Sequence, residues 1–135
     1  QLCAGDVALP FMPKSKAQEL LDCRRYTFNP FYENNSVYAP IGLGFGVTTT
    51  LGKVYMNLPV SMRIQPILTY SGNFRFDNAI DSGGLVTNLS IDYSLSQQNL
   101  LCINITADSG IQAKVPFKLE RNNNTSAVFL LTAEL

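Results

Sequence analysis

The sequence predicts an all-β protein, an antiparallel β-sandwich of the jelly-roll type with one short helix near the N-terminus. Short runs of alternating apolar and polar residues follow one another through most of the chain, and Gly, Pro, Asn and Ser separate them. The 135 residues are 46% hydrophobic and 15% charged, which suffices for one sizeable core. We therefore expect one sandwich domain over residues 30–135.

A short helix is expected ahead of the strands. Residues 1–13 contain two prolines that exclude a regular helix, so they are predicted to form an extended connector from an upstream domain. Ser15 has the form of an N-cap with Gln18 three residues further on, and apolar side chains follow at helical spacing. The pattern predicts a helix over residues 15–24, within a linker and lead-in that covers residues 14–29.

The linker helix ends beside a run of aromatic residues. Arg24 and Arg25 lie at this junction, and we interpret them as anchors of the connector rather than as ligand-binding groups. Arg25 is expected to be partly buried. The residues predicted to attach the connector to the sandwich are Leu20, Leu21, Cys23, Arg25 and Tyr26.

The strand region begins with a glycine-rich run, IGLGFG. Glycine at every second position leaves one face bare, where another backbone or a ring can lie close. The remaining runs have period two, and prolines within them indicate bends or edge positions. Strands are predicted in the segments 41–52, 54–62, 64–71, 85–96, 100–107, 114–121 and 127–135.

Alternation within these runs predicts which side chains face the core. In the run 85–96 the odd-numbered residues, from Leu85 to Leu95, are expected inside. In the run 100–107, Leu101, Ile103 and Ile105 are expected inside and Cys102 outside. The run 127–135 is apolar on both faces, which places it in the middle of a sheet or against another subunit.

Two polar segments, 73–84 and 120–126, read as loops. Aromatic side chains beside Asn, Asp and Arg are the mix that stacks on a sugar ring and hydrogen-bonds its hydroxyls. The candidate ligand-binding residues are Tyr38, Asn73, Phe74, Arg75, Asp77 and Asp81. For Phe74 and Phe76 the alternative is that they are core residues at alternate positions of a strand.

Composition excludes several classes of chemistry. The chain has no histidine, and its three cysteines are far apart without metal-ligand spacing, so we expect no metal, no cofactor and free thiols, with one disulfide as the alternative. Asp77 and Asp81 are the nearest candidates for a glycosidase pair, but aspartate is also common in turns. We predict no catalytic residues and no enzymatic activity.

Charge and hydropathy exclude two classes of partner. Ten basic and ten acidic residues cancel, so no field gathers a phosphate polymer, and we expect no nucleic-acid partner. Apolar residues nowhere reach the run of about 18 that crosses a bilayer, and we expect no membrane insertion.

Three stretches resemble phage tail-fibre and tailspike proteins. QLCAGDVALPF followed by ELLDCRRY is similar to the strand-and-helix junction of these proteins, with Arg24 where glutamine is usual. PVSMRIQPILTYSG resembles their paired strands, and the terminal AEL resembles their usual end.

The resemblance implies a C-terminal domain at the tip of a homotrimeric fibre or spike, joined to upstream fibre domains. The expected function is receptor binding, with bacterial surface glycan as the partner. The expected location is the virion, after assembly in the cytoplasm of the bacterial host. The alternative is a structural domain that trimerises or caps the fibre and binds nothing.

Overall fold

Two antiparallel sheets and one short helix make up the fold in the computed structural model, which describes residues 13–32, 34–78 and 83–134. The all-β sandwich with one short helix is thus confirmed. The elements are α1 (Lys16–Arg24), β1 (Thr27–Phe28), β2 (Pro40–Gly46), β3 (Leu51–Asn57), β4 (Ile67–Ser71), β5 (Phe74–Asn78), β6 (Gly84–Val86), β7 (Asn88–Ile91), β8 (Leu100–Thr106), β9 (Pro116–Arg121) and β10 (Val128–Thr132).

The two sheets differ in size. The small sheet has the strand order β1-β10-β4, and the large sheet has the order β6-β5-β9-β2-β3-β8-β7. All the strand pairs within the two sheets are antiparallel. Strand β9 lies between β5 and β2, so residues far apart in the sequence become neighbours at the centre of the large sheet.

The core lies between the inner faces of the sheets. Phe74 of the large sheet meets Phe129 of the small sheet edge to face, with ring centroids 6.3 Å apart. Tyr70 of β4 packs on Phe74 in the same way and joins the sheets by a hydrogen bond, because its hydroxyl donates to Asn88 Oδ1 at 2.9 Å. The largest fully buried side chains include Phe76, Phe129, Met62, Leu101, Ile103, Ile105, Leu119 and Leu131.

Helix α1 begins where the sequence predicts it. Ser15 is its N-cap, and the hydroxyl oxygen accepts a hydrogen bond from the Gln18 amide at 3.2 Å. The predicted attachment through side chains is wrong, because no residue of the helix is buried. Five residues expected to anchor the connector are all exposed: Leu20, Leu21, Cys23, Arg25 and Tyr26.

Backbone hydrogen bonds hold the C-terminal end of the connector instead. The Tyr26 carbonyl accepts from the amide of Ala133 at 2.7 Å, and the Arg25 carbonyl accepts from the amide of Arg63 at 2.9 Å. The Arg63 guanidinium also lies 5.7 Å from the centroid of the Tyr26 ring. The nine helical residues are too polar to form an apolar face, so attachment falls to the chain that follows them.

Strand β2 contains an irregularity that decides where its side chains point. Its pairing with β9 shifts between Pro40 and Gly42, which leaves Ile41 as an extra residue. Ile41 is buried, whereas Leu43 is 73% exposed and Phe45 is 42% exposed. The bulge therefore places the larger side chains of β2 on the outer face of the large sheet.

The glycines of β2 occupy the opposite face, and the expectation that another backbone lies close to them is confirmed. A Cβ atom at Gly44 would collide with the carbonyl oxygen of Lys53 on the neighbouring strand. At Gly42 it would lie 2.9 Å from a methyl group of Val54. A larger residue in place of Gly42 or Gly44 would push β2 and β3 apart.

Two local predictions about the segment 73–96 are wrong. The segment 73–84 is not one loop, because it contains β5 and the start of β6, and Phe74 and Phe76 point into the core. The regular alternation of 85–96 ends at Ile91, so Tyr93 and Leu95 are exposed, as is Leu85.

Cys102, expected outside, is fully buried. The segment between β7 and β8 folds over it, and the Ser96 hydroxyl accepts from the Cys102 amide at 2.9 Å. Strand β10 lies in the middle of the small sheet, between β1 and β4, which confirms one of the two predicted positions. Its burial on both faces is only partial, because Phe129 and Leu131 are buried while Val128 is 39% exposed.

The turn after β9, within the predicted loop 120–126, is fixed by a buried arginine. Arg121 Nη2 donates to the Ala127 carbonyl at 3.0 Å, and its guanidinium lies 3.6 Å from the centroid of the Phe31 ring. Burial lowers the pKa of Arg121 from its usual value. This side chain links β9 to two loops at one end of the sandwich.

Candidate functional site

The outer face of the large sheet brings together side chains from three strands. Cross-strand pairing sets Arg75 of β5 opposite Glu120 of β9, and Asp77 opposite Lys118. Lys118 is in turn opposite Leu43 of β2. Because residues two apart on a strand share a face, these five side chains lie on one surface, which we call the outer-face site.

Four charged groups of the outer-face site form a closed ion-pair network. Arg75 lies 3.2 Å from both Asp77 and Glu120. Lys118 Nζ lies 3.1 Å from Asp77 and 3.0 Å from Glu120. The Glu120 side chain is only 3% exposed, and both cations lie within ion-pairing distance of its carboxylate. The network holds two positive and two negative charges and is neutral as a unit.

The network favours the ionised forms of Asp77 and Lys118. Hydrogen bonding to Lys118, with help from Arg75, lowers the pKa of Asp77. Hydrogen bonds to Glu120 and Asp77 raise the pKa of Lys118. A lowered carboxyl pKa suits a permanent ion-pair partner and is opposite to what a general acid needs.

Tyr38 completes the polar end of the site. It lies in a turn in which its amide donates to the Ser36 hydroxyl at 3.3 Å, and the Ser36 amide donates to Asn34 Oδ1 at 3.0 Å. The Arg75 guanidinium lies 5.6 Å from the centroid of the Tyr38 ring, which is compatible with a cation–π contact. The ring is still 43% exposed. Arg75 thus joins an accessible aromatic surface to the ion-pair network.

An apolar groove adjoins the network. Its volume is about 360 Å³, and its lining residues are Leu43, Asp77, Asn78, Pro116, Phe117 and Lys118. Beyond Leu43, the rings of Phe45 and Tyr55 stack with centroids 6.1 Å apart and planes inclined by 22°. Leu43, Phe45 and Tyr55 form a partly exposed band that we call the apolar stripe.

The structure brings together three of the six ligand-binding residues proposed from the sequence. Tyr38, Arg75 and Asp77 come together in the outer-face site. Asn73 is exposed at the start of β5, where its carbonyl accepts from the Asn122 amide at 3.0 Å. Phe74 is a core residue and does not belong to the site. Asp81 lies outside the described residues.

Sequence reasoning missed Lys118, Glu120 and Leu43. The alternation KLE in the segment 114–121 contains a signal, since Lys118 and Glu120 flank the inward-facing Leu119. Nothing in the sequence indicates that β9 pairs with β5, which is where their partners lie. Sequence reasoning therefore identified one strand of the network and missed the other.

Comparisons with known proteins identify no relative of this chain: no family model, curated protein or solved structure matches it. Within the described ranges, no helix is long and apolar enough to cross a membrane. The same residues contain no group of three or more Asp, Glu or Cys side chains arranged to hold a metal ion.

Proposed function

We propose that this chain is a receptor-binding tip domain of a phage tail fibre or spike and that it binds bacterial surface glycan at the outer-face site. The observation that carries the proposal is the position of Tyr38, a partly exposed ring 5.6 Å from the Arg75 guanidinium, which belongs to the network of four charged side chains. The resemblance of the sequence to tail-fibre proteins supports the same function.

The chemistry of the site fits a sugar. The Tyr38 ring and the apolar groove offer surfaces for the C–H faces of sugar rings, and the charged groups offer directional donors and acceptors for hydroxyls. Because the four charges balance, the site favours a neutral or zwitterionic saccharide over a strongly anionic polymer. Each such site is shallow, and a homotrimer would combine three weak sites into useful avidity.

The apolar stripe favours a second candidate function, a structural domain that trimerises or caps the fibre. Leu43 is 73% exposed, and Phe45 and Tyr55 continue the same surface. An exposed apolar band of this kind is typical of a contact between subunits. In this alternative the outer face meets another copy, or an upstream domain, in the virion.

Glycan binding and mass measurements on the purified chain separate the two functions. We expect binding to an array of bacterial polysaccharides and neutral oligosaccharides, and Tyr38→Ala should weaken it about five-fold by removing the stacking surface. Asn35→Ala is a matched control, because Asn35 is exposed in the preceding loop and outside the groove.

Two outcomes would contradict glycan binding at this site. One is a chain that binds no member of the array yet forms a stable trimer, which favours the structural function. The other is binding that Tyr38→Ala leaves unchanged. Phe45→Ser tests the structural function separately, because Phe45 belongs to the apolar stripe but does not line the groove. It should lower the trimer fraction in analytical ultracentrifugation if the apolar stripe joins subunits.

A further inference from the structure

A second pocket lies at one end of the sandwich, between the segment that follows β3 and the segment that precedes β8. Its volume is about 500 Å³. The residues that line it are uncharged amides and hydroxyls: Ser61, Gln65, Ser96, Gln97, Gln98 and Asn99. We call it the amide pocket.

Hydrogen bonds between the two segments fix the walls of the amide pocket. The Met62 amide donates to the Gln98 carbonyl, and the Leu58 amide donates to the Asn99 carbonyl, both at 2.9 Å. Gln65 Nε2 reaches across to the Ser96 carbonyl at 3.0 Å. A pocket whose walls are already tied loses little conformational entropy when a ligand enters.

Several polar groups of the pocket remain available. Within the described part of the chain, the side chains of Ser61, Gln97 and Asn99 make no hydrogen bond, and all three are exposed. Gln98 Nε2 donates to the Arg63 carbonyl at 3.3 Å, which holds this side chain across the gap between the segments. Two free amides and a hydroxyl can each both donate and accept, as sugar hydroxyls do.

An apolar surface lies beside these groups. Tyr93 is 51% exposed, and its carbonyl accepts from Gln65 Nε2 at 3.3 Å, so the residue adjoins the pocket. Its hydroxyl donates to the Pro66 carbonyl at 3.3 Å, which restrains the ring. The partly exposed Tyr93 ring is thus restrained next to the segment that contributes Gln65 to the pocket lining.

We propose that the amide pocket is a second ligand site and that it binds a neutral saccharide residue. The absence of charge from its lining argues against an anion, a cation or a metal ion as the ligand. Amides and a hydroxyl beside a partly exposed aromatic ring match the alternating polar edges and apolar faces of a sugar. The proposal is independent of binding at the outer-face site, because the two sites share no residue.

Nuclear magnetic resonance of the isotope-labelled chain tests the proposal directly. The side-chain amide signals of Gln97, Gln98 and Asn99 should shift on titration with glucose, galactose or N-acetylglucosamine. Gln97→Ala and Asn99→Ala, both on exposed loop positions, should each raise the dissociation constant about five-fold by removing hydrogen bonds. Asn35→Ala removes an exposed amide elsewhere and should change nothing.

Two further measurements distinguish binding at the amide pocket from binding at the outer-face site, and a saccharide ligand from a peptide ligand. Tyr38→Ala should leave the amide-pocket shifts intact, so failure of one site is visible separately from failure of the other. Triglycine serves as a probe of peptide binding. The proposal is overturned if none of the three sugars shifts these signals, or if triglycine shifts them and the sugars do not.

Discussion

The two faces of the large sheet are built from the same strands and yet differ in composition and burial. The inner face is largely apolar, with Phe76, Ile103 and Leu119 fully buried. The outer face carries a neutral ion-pair network beside a partly exposed apolar stripe. A sandwich needs a buried apolar inner face in order to fold. It does not need exposed apolar side chains on its outer face, so the outer face is the surface on which a partner can bind.

The difference arises from strand periodicity and one bulge. Regular alternation sends Lys118 outward and Leu119 inward from neighbouring positions on β9. On β2 the extra residue Ile41 keeps its own side chain buried and turns Leu43 to the outer face. The bulge at Ile41 thus exposes the large apolar side chain of Leu43 at a position where a solvent-facing strand would normally carry a polar residue.

The largest expected effect is the loss of an inner-face ring. Phe76→Ala removes a fully buried side chain that packs edge to face on Phe117 at 5.7 Å, and we expect it to lower the free energy of unfolding by about 3–5 kcal/mol. Phe45→Ala, the same change on the outer face, should cost less than about 1.5 kcal/mol because that ring is already partly solvated. Urea denaturation measures both, and equal losses would contradict the distinction between the faces.

A smaller loss is expected where β2 and β3 approach most closely. Gly44→Ala adds a methyl group against the Lys53 carbonyl and the Val54 backbone, so the strands must move apart. We expect a loss of about 1–3 kcal/mol in the free energy of unfolding, as for other overpacked sites. Leu43→Ala, on the same strand but facing solvent, is the control, and an unchanged melting temperature for Gly44→Ala would refute the close approach.

The smallest effect is electrostatic and lies on the outer face. A hydrogen bond to Lys53 at 2.8 Å and further bonds to Ser94 lower the pKa of Asp92 to about 2, from an ordinary value of 3.8. Because the folded pKa is the lower one, the ionised carboxylate stabilises the protein above about pH 4, and that contribution disappears as the pH falls towards about 2.

Asp92→Asn provides the measurement. The difference in the free energy of unfolding between the native chain and this variant should shrink as the pH falls from about 4 to about 2, because both side chains are then neutral. Lys53→Met should show the same loss of acid dependence. If the difference stayed constant between about pH 4 and about pH 2, the pKa of Asp92 would not be lowered in the folded protein, and the prediction would be refuted.

The fold was largely predictable, and the site only in part. The Ser15 cap and the period-two runs are local patterns, so the helix and most strands follow from neighbouring residues. Tyr38, Arg75 and Asp77 were found because an aromatic ring near charged residues is visible in sequence. Lys118 and Glu120 were missed because their partners lie more than 40 positions away along the chain.

The wrong predictions share a cause. The apolar residues of α1 were expected to be buried, but nothing in the described structure covers them, and the connector is held by backbone groups whose partners the sequence does not indicate. Cys102 is buried although it points away from the core, since a loop folds over it. Whether a side chain is buried depends on which other segment of the chain covers it. Alternation of apolar and polar residues predicts only the face of the strand on which the side chain lies.

The sequence alone therefore determined the types of the secondary-structure elements, which side chains of most strands face the core, and the zero net charge. Each of these depends on neighbouring residues or on composition. Tertiary structure decided which strands pair, how the bulge at Ile41 turns β2, and which loops enclose the amide pocket. These features depend on contacts between segments far apart in the chain. The ion-pair network exists only because β9 pairs with β5, and no local pattern specifies that pairing.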